Sequence, residues 1–230
     1  MRITPTLQRR NVFLDIETVA LDPDDDKGAL SAASGRIVCI CLMIDDGQTI
    51  AEEAMIDQDE NLIIRRFWDL VYAGDVFIGH NAFGFDLPFV RQRSWILGIR
   101  PSRRVDLRRF YTNDVIDTME TWSNWGATKF IGLDKLGGVL AVGGKTAQGS
   151  NVASWWANSD LRRIADYCRD DVRLTYRIFC KLMFQELPER YLAAVNLIPG
   201  PTADNWVSSP EMGKLIMFPG PNERQSRNQK

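Results

Sequence analysis

The run NVFLDIETV at residues 11–19 constrains this chain more than any other segment. Its apolar side chains occupy both alternating faces, so it predicts the central strand of a sheet covered on both sides by helices. Asp15 and Glu17 interrupt one face. Two apart on a strand, their carboxylates point to the same side. Burial and mutual repulsion then cost energy unless a cation or hydrogen-bond donors compensate. The pair alone admits two readings, a metal site or a strand end turned toward solvent.

Around this strand the pattern alternates. Residues 20–35 read as a loop, Arg36–Ile44 as a second strand closed by a turn at Asp45, Asp46 and Gly47, and Gln48–Met55 as a third strand. Glu60–Ala73 has helical spacing, Val76–His80 reads as a buried strand, and Leu87–Ile99 as a helix closed by Gly98 and Pro101. Residues 105–157 are expected to be mostly helical, with a helix at Leu133–Leu140 and a glycine-rich connection at Gly143, Gly144 and Gly149. Asp160–Leu187 predicts a long amphipathic helix capped by Ser159 or Asp160. Beyond Pro188 the regularity fades, and five of the ten prolines fall between residues 199 and 230. This predicts a domain over 1–198 and an irregular tail over 199–230 with a mobile end.

Composition narrows the class. Hydrophobic residues at 45% and charged residues at 25% describe a globular chain. The N-terminus has no apolar run of about 7–15 residues behind its basic residues, and no stretch of roughly 18 apolar residues follows, so no membrane association and a cytoplasmic location are expected. Cys39, Cys41, Cys168 and Cys180 form no CxxC pair and His80 is the only histidine, which predicts reduced, buried thiols and no structural zinc. A net charge of −2 excludes a broad basic surface but allows a local track. Arg91, Arg93, Arg100, Arg103, Arg104, Arg108 and Arg109, with Asp106 the single acid among them, read either as such a track or as a solvated face.

Two further segments carry candidate chemistry. In Gly79–Val90, GHNAFGFDLPFV, a strand ends and Asp86 precedes a helix, where it is either a helix cap or a site carboxylate. In the long helix Tyr167 and Asp171 stand one turn apart. On a helical wheel Asp171 lies about 70° from the centre of the apolar face, whereas Asp170, about 170° away, faces solvent.

Taken together, DIET at 15–18, Asn81-x3-Phe85-Asp86 and Tyr167-x3-Asp171 resemble, in order, the three exonuclease motifs of the DEDDy branch of the DEDD superfamily. The resemblance spans about residues 11–185. GHNAFGFDLPF, LDKL at 133–136 and YCRDDVRLTY are similar to the standalone group related to the exonuclease domain of family B polymerases, and no polymerase domain is expected in this sequence. The resemblance implies an α/β, ribonuclease H-like mixed sheet flanked by helices. It implies that Asp15, Glu17, Asp86 and Asp171 hold two divalent metal ions, Mg²⁺ or Mn²⁺, with Tyr167 orienting the attacking water. Ile16, Thr18, Asn81 and Phe85 would hold the terminal nucleotides. The expected reaction is 3′-5′ hydrolysis of a nucleic acid with a free 3′ end, single-stranded DNA first, yielding nucleoside 5′-monophosphates. A sister branch places histidine where this chain has Asp166, so only the tyrosine branch fits.

Alternatives stay open. RNA-trimming enzymes share the tyrosine branch, and a noncatalytic binding module or an adaptor docking through the tail would keep the fold. No motif names a protein partner. GVLAVGGKT at 138–146 resembles a phosphate-binding loop, but Val139 stands where its first glycine is needed. Lys145 there reads as a solvated lysine or a phosphate contact. His80 reads as a hydrogen-bonded strand-end residue or a substrate contact, and Trp122, Trp125, Trp155 and Trp156 as core or as stacking platforms.

Overall fold

The computed structural model describes residues 9–197 apart from 109, 111 and 112. Five strands, β1 (Asn11–Ala20), β2 (Gly35–Asp45), β3 (Ile50–Ile56), β4 (Val76–Gly79) and β5 (Val115–Asp117), form one sheet in the order β3-β2-β1-β4-β5. The first three pair antiparallel, and β4 joins β1 and β5 in parallel. The double-sided apolar pattern of β1 follows from its place at the centre. Its even side chains, including Leu14 and Ile16, pack against α1 (Glu60–Leu70) and α2 (Asp86–Ile96). Its odd ones, Phe13 and Val19, meet α6 (Leu161–Leu182), α5 (Asn151–Ala157) and α7 (Glu189–Leu197).

The register explains where a site can form. β4 pairs with β1 only over Asn11–Phe13, so the rest of that edge of β1 runs on past the end of β4. On the other edge the pairing with β2 shifts between Glu17 and Thr18. That bulge turns the consecutive residues Val38 and Cys39 of β2 to the same face, under α6. α3 (Thr118–Ser123) and α4 (Leu133–Val139) complete the helices, α4 packing Leu133 and Leu136 on Leu174 and Ile178 of α6.

Two expectations are corrected. The stretch 105–157 is not mostly helical: helix is confined to Thr118–Ser123, Leu133–Val139 and Asn151–Ala157, and the stretch also contains β5, whose three residues are too few to show a period in sequence. Regularity also continues past Pro188. α6 ends at Leu182, Phe184 adopts a left-handed φ of 54°, and Pro188 opens a new turn by accepting the amide of Tyr191. α7 then stacks Tyr191 on Tyr176, 4.6 Å between ring centroids, and pairs Arg190 with Asp45.

The arginine-rich stretch also divides. Arg93 and Arg103 are neither solvated nor turned toward a ligand. Arg93 is buried in a two-pronged pair with Glu60 and also reaches the Ala32 carbonyl, while Arg103 holds Asp114 and the Tyr72 and Asp75 carbonyls. Arg109 and the expected tail at 199–230 lie outside the described residues. Among the described residues no helix is long and apolar enough to cross a membrane.

Candidate active site

The odd face of β1 carries Asp15 and Glu17 beneath α6, where the helix presents Tyr167, Cys168 and Asp171. Glu17 and Asp171 are buried, and Asp15 keeps part of its surface open. Ligand atoms of Asp15, Glu17 and Cys168 all lie within 4.8 Å of one another. Asp86 arrives from the other edge. It is the first residue of α2 rather than its cap, and its buried carboxylate accepts the Ile16 amide at 3.2 Å on the edge of β1 that β4 has left. Three separate elements therefore bring four carboxylates to one place.

The electrostatics are those of a centre short of positive charge. Burial, then the charges of Glu17, Asp86 and Asp171, hold Asp15 well above the usual carboxylate range. Burial and then Asp171 do the same to Glu17. Burial pushes Asp86 up to about 7 despite the hydrogen bonds from its own amide and that of Ile16. One oxygen of Asp171 is buried with no hydrogen-bond partner among the described residues. The donors are hard carboxylate oxygens, which suit a divalent ion of the Mg²⁺ or Mn²⁺ kind. The residues present fit such an ion.

Lys145 supplies the one cation paired within the acids among the described residues. Its ammonium donates to Asp171 and, at 2.8 Å, to the Tyr167 hydroxyl. Burial alone would lower its pKa, but the Asp171 charge and hydrogen bond outweigh burial and raise it, so it stays charged. Burial raises the Tyr167 phenol, which is therefore protonated at neutral pH. Lys145 is therefore not the solvated loop lysine that one reading of the sequence expected. A glycine of α4 and one of the loop make the placement sterically possible. A Cβ on Gly137 would lie 2.5 Å from the Gly143 carbonyl, and Gly143 has φ +119°. Asp134 of α4 then fixes the loop by accepting the Lys145 amide at 2.8 Å.

The other candidates are placed as follows. Ile16 buries its side chain in the core and commits its amide to Asp86. Thr18 donates its hydroxyl to the Ala29 carbonyl. Asn81 adopts φ 67° at the turn after β4, and Phe85 lies half-buried against Phe89. Burial lowers the pKa of His80 and keeps it neutral; its Nε2 donates to the Ile131 carbonyl and its Nδ1 pairs with the Thr118 hydroxyl. Trp155 packs edge-on to Tyr167, and Trp125 packs against Phe83.

Sequence reasoning missed two features. Cys39 and Cys41 lie beside Cys168, all three buried and within ligand distance of one another, a convergence that spacing along the chain conceals. Asp117, buried at the end of β5, accepts the amides of Asn81 and Phe83 and also caps α3 through Met119 and Glu120. It fixes the turn that aims Asp86. The signal was present, since Asp117-Thr118-Met119-Glu120 has the spacing of a capping box. Asp117→Ala should lower stability by about 2 kcal/mol, because four amides lose a buried charged acceptor. A urea melt showing a loss under about 0.5 kcal/mol would contradict that role.

A family model described as a predicted 3′-5′ exonuclease related to the exonuclease domain of PolB matches residues 30–188. The match begins beyond Asp15 and Glu17, so the place of that pair rests on the geometry of β1. None of the curated proteins matches the chain. Among solved structures, the family B DNA polymerase of the hyperthermophilic archaeon Pyrobaculum calidifontis superposes with a TM-score of 0.61 and 24% identity, over 76% of this chain. The superposition takes in only 24% of that polymerase, so the likeness is to one module of it and concerns the fold. The mixed sheet with flanking helices is the ribonuclease H-like fold expected from sequence.

Proposed function

The chain belongs to the family of predicted 3′-5′ exonucleases related to the exonuclease domain of PolB, and on that premise we propose that it hydrolyses single-stranded DNA from the 3′ end to nucleoside 5′-monophosphates. Asp15, Glu17, Asp86 and Asp171 are assigned as the metal ligands. The observation that carries this reading is their convergence from β1, α2 and α6, with one buried oxygen of Asp171 left without a hydrogen-bond partner among the described residues. Divalent ions held by these residues would supply an activated water and charge stabilisation of the leaving 3′ oxygen.

The chain's own groups do the rest. Tyr167, kept protonated by burial, offers a hydroxyl that can orient the attacking water. Lys145 holds that hydroxyl and Asp171 in fixed relation and offsets part of the carboxylate repulsion. Asn81 and Phe85 sit on the turn between β4 and α2 and are assigned to hold the terminal nucleotides, and Asp117 keeps that turn in position.

The test is digestion of matched 5′-labelled single-stranded DNA and RNA with Mg²⁺ or Mn²⁺, beside a chelator control. A metal-dependent ladder shrinking from the 3′ end of the DNA is expected. Preferential loss of the RNA would move the assignment to an exoribonuclease, and no cleavage of either strand would leave a binding module. In the same assay Tyr167→Phe should slow turnover by about 10²-fold without weakening metal binding. An unchanged rate would remove Tyr167 from the reaction.

A further inference from the structure

α2 carries Asp86 at its first position and a different kind of surface further along. Leu87, Arg91 and Trp95 form one stripe at i, i+4 and i+8. They face the segment 100–108, and between the two lies an open groove of 670 Å³. Its floor is apolar, with Trp68 and Leu87 buried and Leu107 partly buried. Its rim is cationic. Arg91, Arg100 and Arg104 make no ion pair or side-chain hydrogen bond among the described residues, and the Nε of Arg91 is buried without a partner. The acid in the groove, Asp106, is already held by Arg108 on both oxygens. Trp95 is 64% exposed, with the Arg91 guanidinium 5.3 Å from its ring centroid.

We propose that this groove binds the single-stranded part of the nucleic acid behind the 3′ end being cut. The proposal rests on the function assigned above and names a second contact for the same substrate. Guanidinium groups without an ion pair, beside an exposed indole over an apolar floor, provide both halves of single-strand recognition, charge for the phosphates and a flat face for a base. An acidic peptide would satisfy the arginines but has no need of the stacking face. The position also suits the strand, because Arg91 and Trp95 stand only about 7.5 and 13.5 Å along the helix axis from Asp86. A terminal nucleotide at the carboxylates would leave the preceding ones within reach of this rim. Arg93 and Arg103, locked in ion pairs, keep the groove's walls in place without taking part in binding.

The test compares the wild type with Arg91→Gln/Arg104→Gln and with Trp95→Ala. A labelled 20-nucleotide oligothymidylate is followed by anisotropy in chelator. Steady-state cleavage is measured for the same oligomer, for a trinucleotide, and for the p-nitrophenyl ester of thymidine 5′-monophosphate, which reports on the carboxylate centre alone. Each variant should weaken binding and raise KM for the 20-mer on the order of tenfold. The double variant should also lower the salt slope of binding by about 1.4, from two phosphate contacts on a single strand. Turnover of the trinucleotide and the ester should not change. Unchanged 20-mer affinity and salt slope would overturn the proposal, as would an equal loss on the trinucleotide. So would polyglutamate competing as well as the 20-mer for the wild type but not for the double variant, which would make the groove a peptide site. If the wild type cleaves none of the three substrates, the assigned function fails, while the anisotropy measurement still decides the groove.

Discussion

Asp15→Asn is expected to reduce metal-dependent hydrolysis on the order of 10³-fold or more, because it removes a charged ligand from a centre whose catalysis depends on charge stabilisation at the phosphodiester. The same substitution should raise the melting temperature of the metal-free protein. Asp15 is destabilised by burial and by the charges of Glu17, Asp86 and Asp171, and an amide of the same shape relieves that repulsion. Asp171→Asn should differ. Asp171 pairs with Lys145, so neutralising it leaves a part-buried ammonium without its carboxylate, and the gain in stability should be smaller or reversed. Melts of both variants in chelator, beside turnover with Mg²⁺, separate the two effects. Retained activity in Asp15→Asn would sink the assignment of the acid pair, and a large loss of stability in chelator would show that the pair serves the fold.

The pH dependence of the metal-free protein has a definite sign. Asp15, Glu17 and Asp86 all have folded pKa values raised above those of an unfolded chain. The stability they contribute is present below the unfolded carboxylate range and is lost as pH rises through the folded values, about 7 for Asp86. In chelator, the wild type should therefore melt higher at pH 6 than at pH 8.

Arg93→Ala should lower stability by about 3–5 kcal/mol, the cost of leaving a buried carboxylate unpaired. At roughly 2–4 °C per kcal/mol for a domain of this size, the melting temperature falls by roughly 6–20 °C. Arg93 donates to both oxygens of Glu60 at 2.9 and 2.6 Å and to the Ala32 carbonyl at 3.0 Å. Glu60 in turn accepts the Ile37 amide at 2.8 Å, so one pair ties α2 to α1, to β2 and to the loop before it. A loss below about 1 kcal/mol in a urea melt would mean that water reaches Glu60 when the guanidinium is gone. The metal-dependent rate per folded molecule should be unchanged, since Arg93 touches none of the carboxylates at the site.

The central strand was legible because β1 is buried on both faces, which leaves a long apolar run that only Asp15 and Glu17 break. The long helix was legible for a similar reason, since 22 residues of α6 give the helical period room to repeat and place Asp171 beside the apolar face. β5 and α7 were not, because three residues show no period and because Pro188 looks like an end when it is a beginning. Asp86 looked at least as much like a helix cap as a ligand. Only the short pairing of β4 with β1, which leaves the Ile16 amide open, gives its carboxylate another partner.

By itself, then, the sequence determined the covered strand, the order of the longer helices and strands, and the residue types able to hold a hard cation, because these follow from local periodicity and side-chain chemistry. The tertiary structure alone decided which distant groups meet. It carried Lys145 from a glycine loop into the acids, set Cys39, Cys41 and Cys168 side by side, made Asp117 the anchor of the turn before Asp86, and divided the arginines into locked pairs and an open groove. The physical reason is the same in each case. These partners are brought together by packing between elements far apart in the chain, and no spacing along the sequence encodes the distance between them.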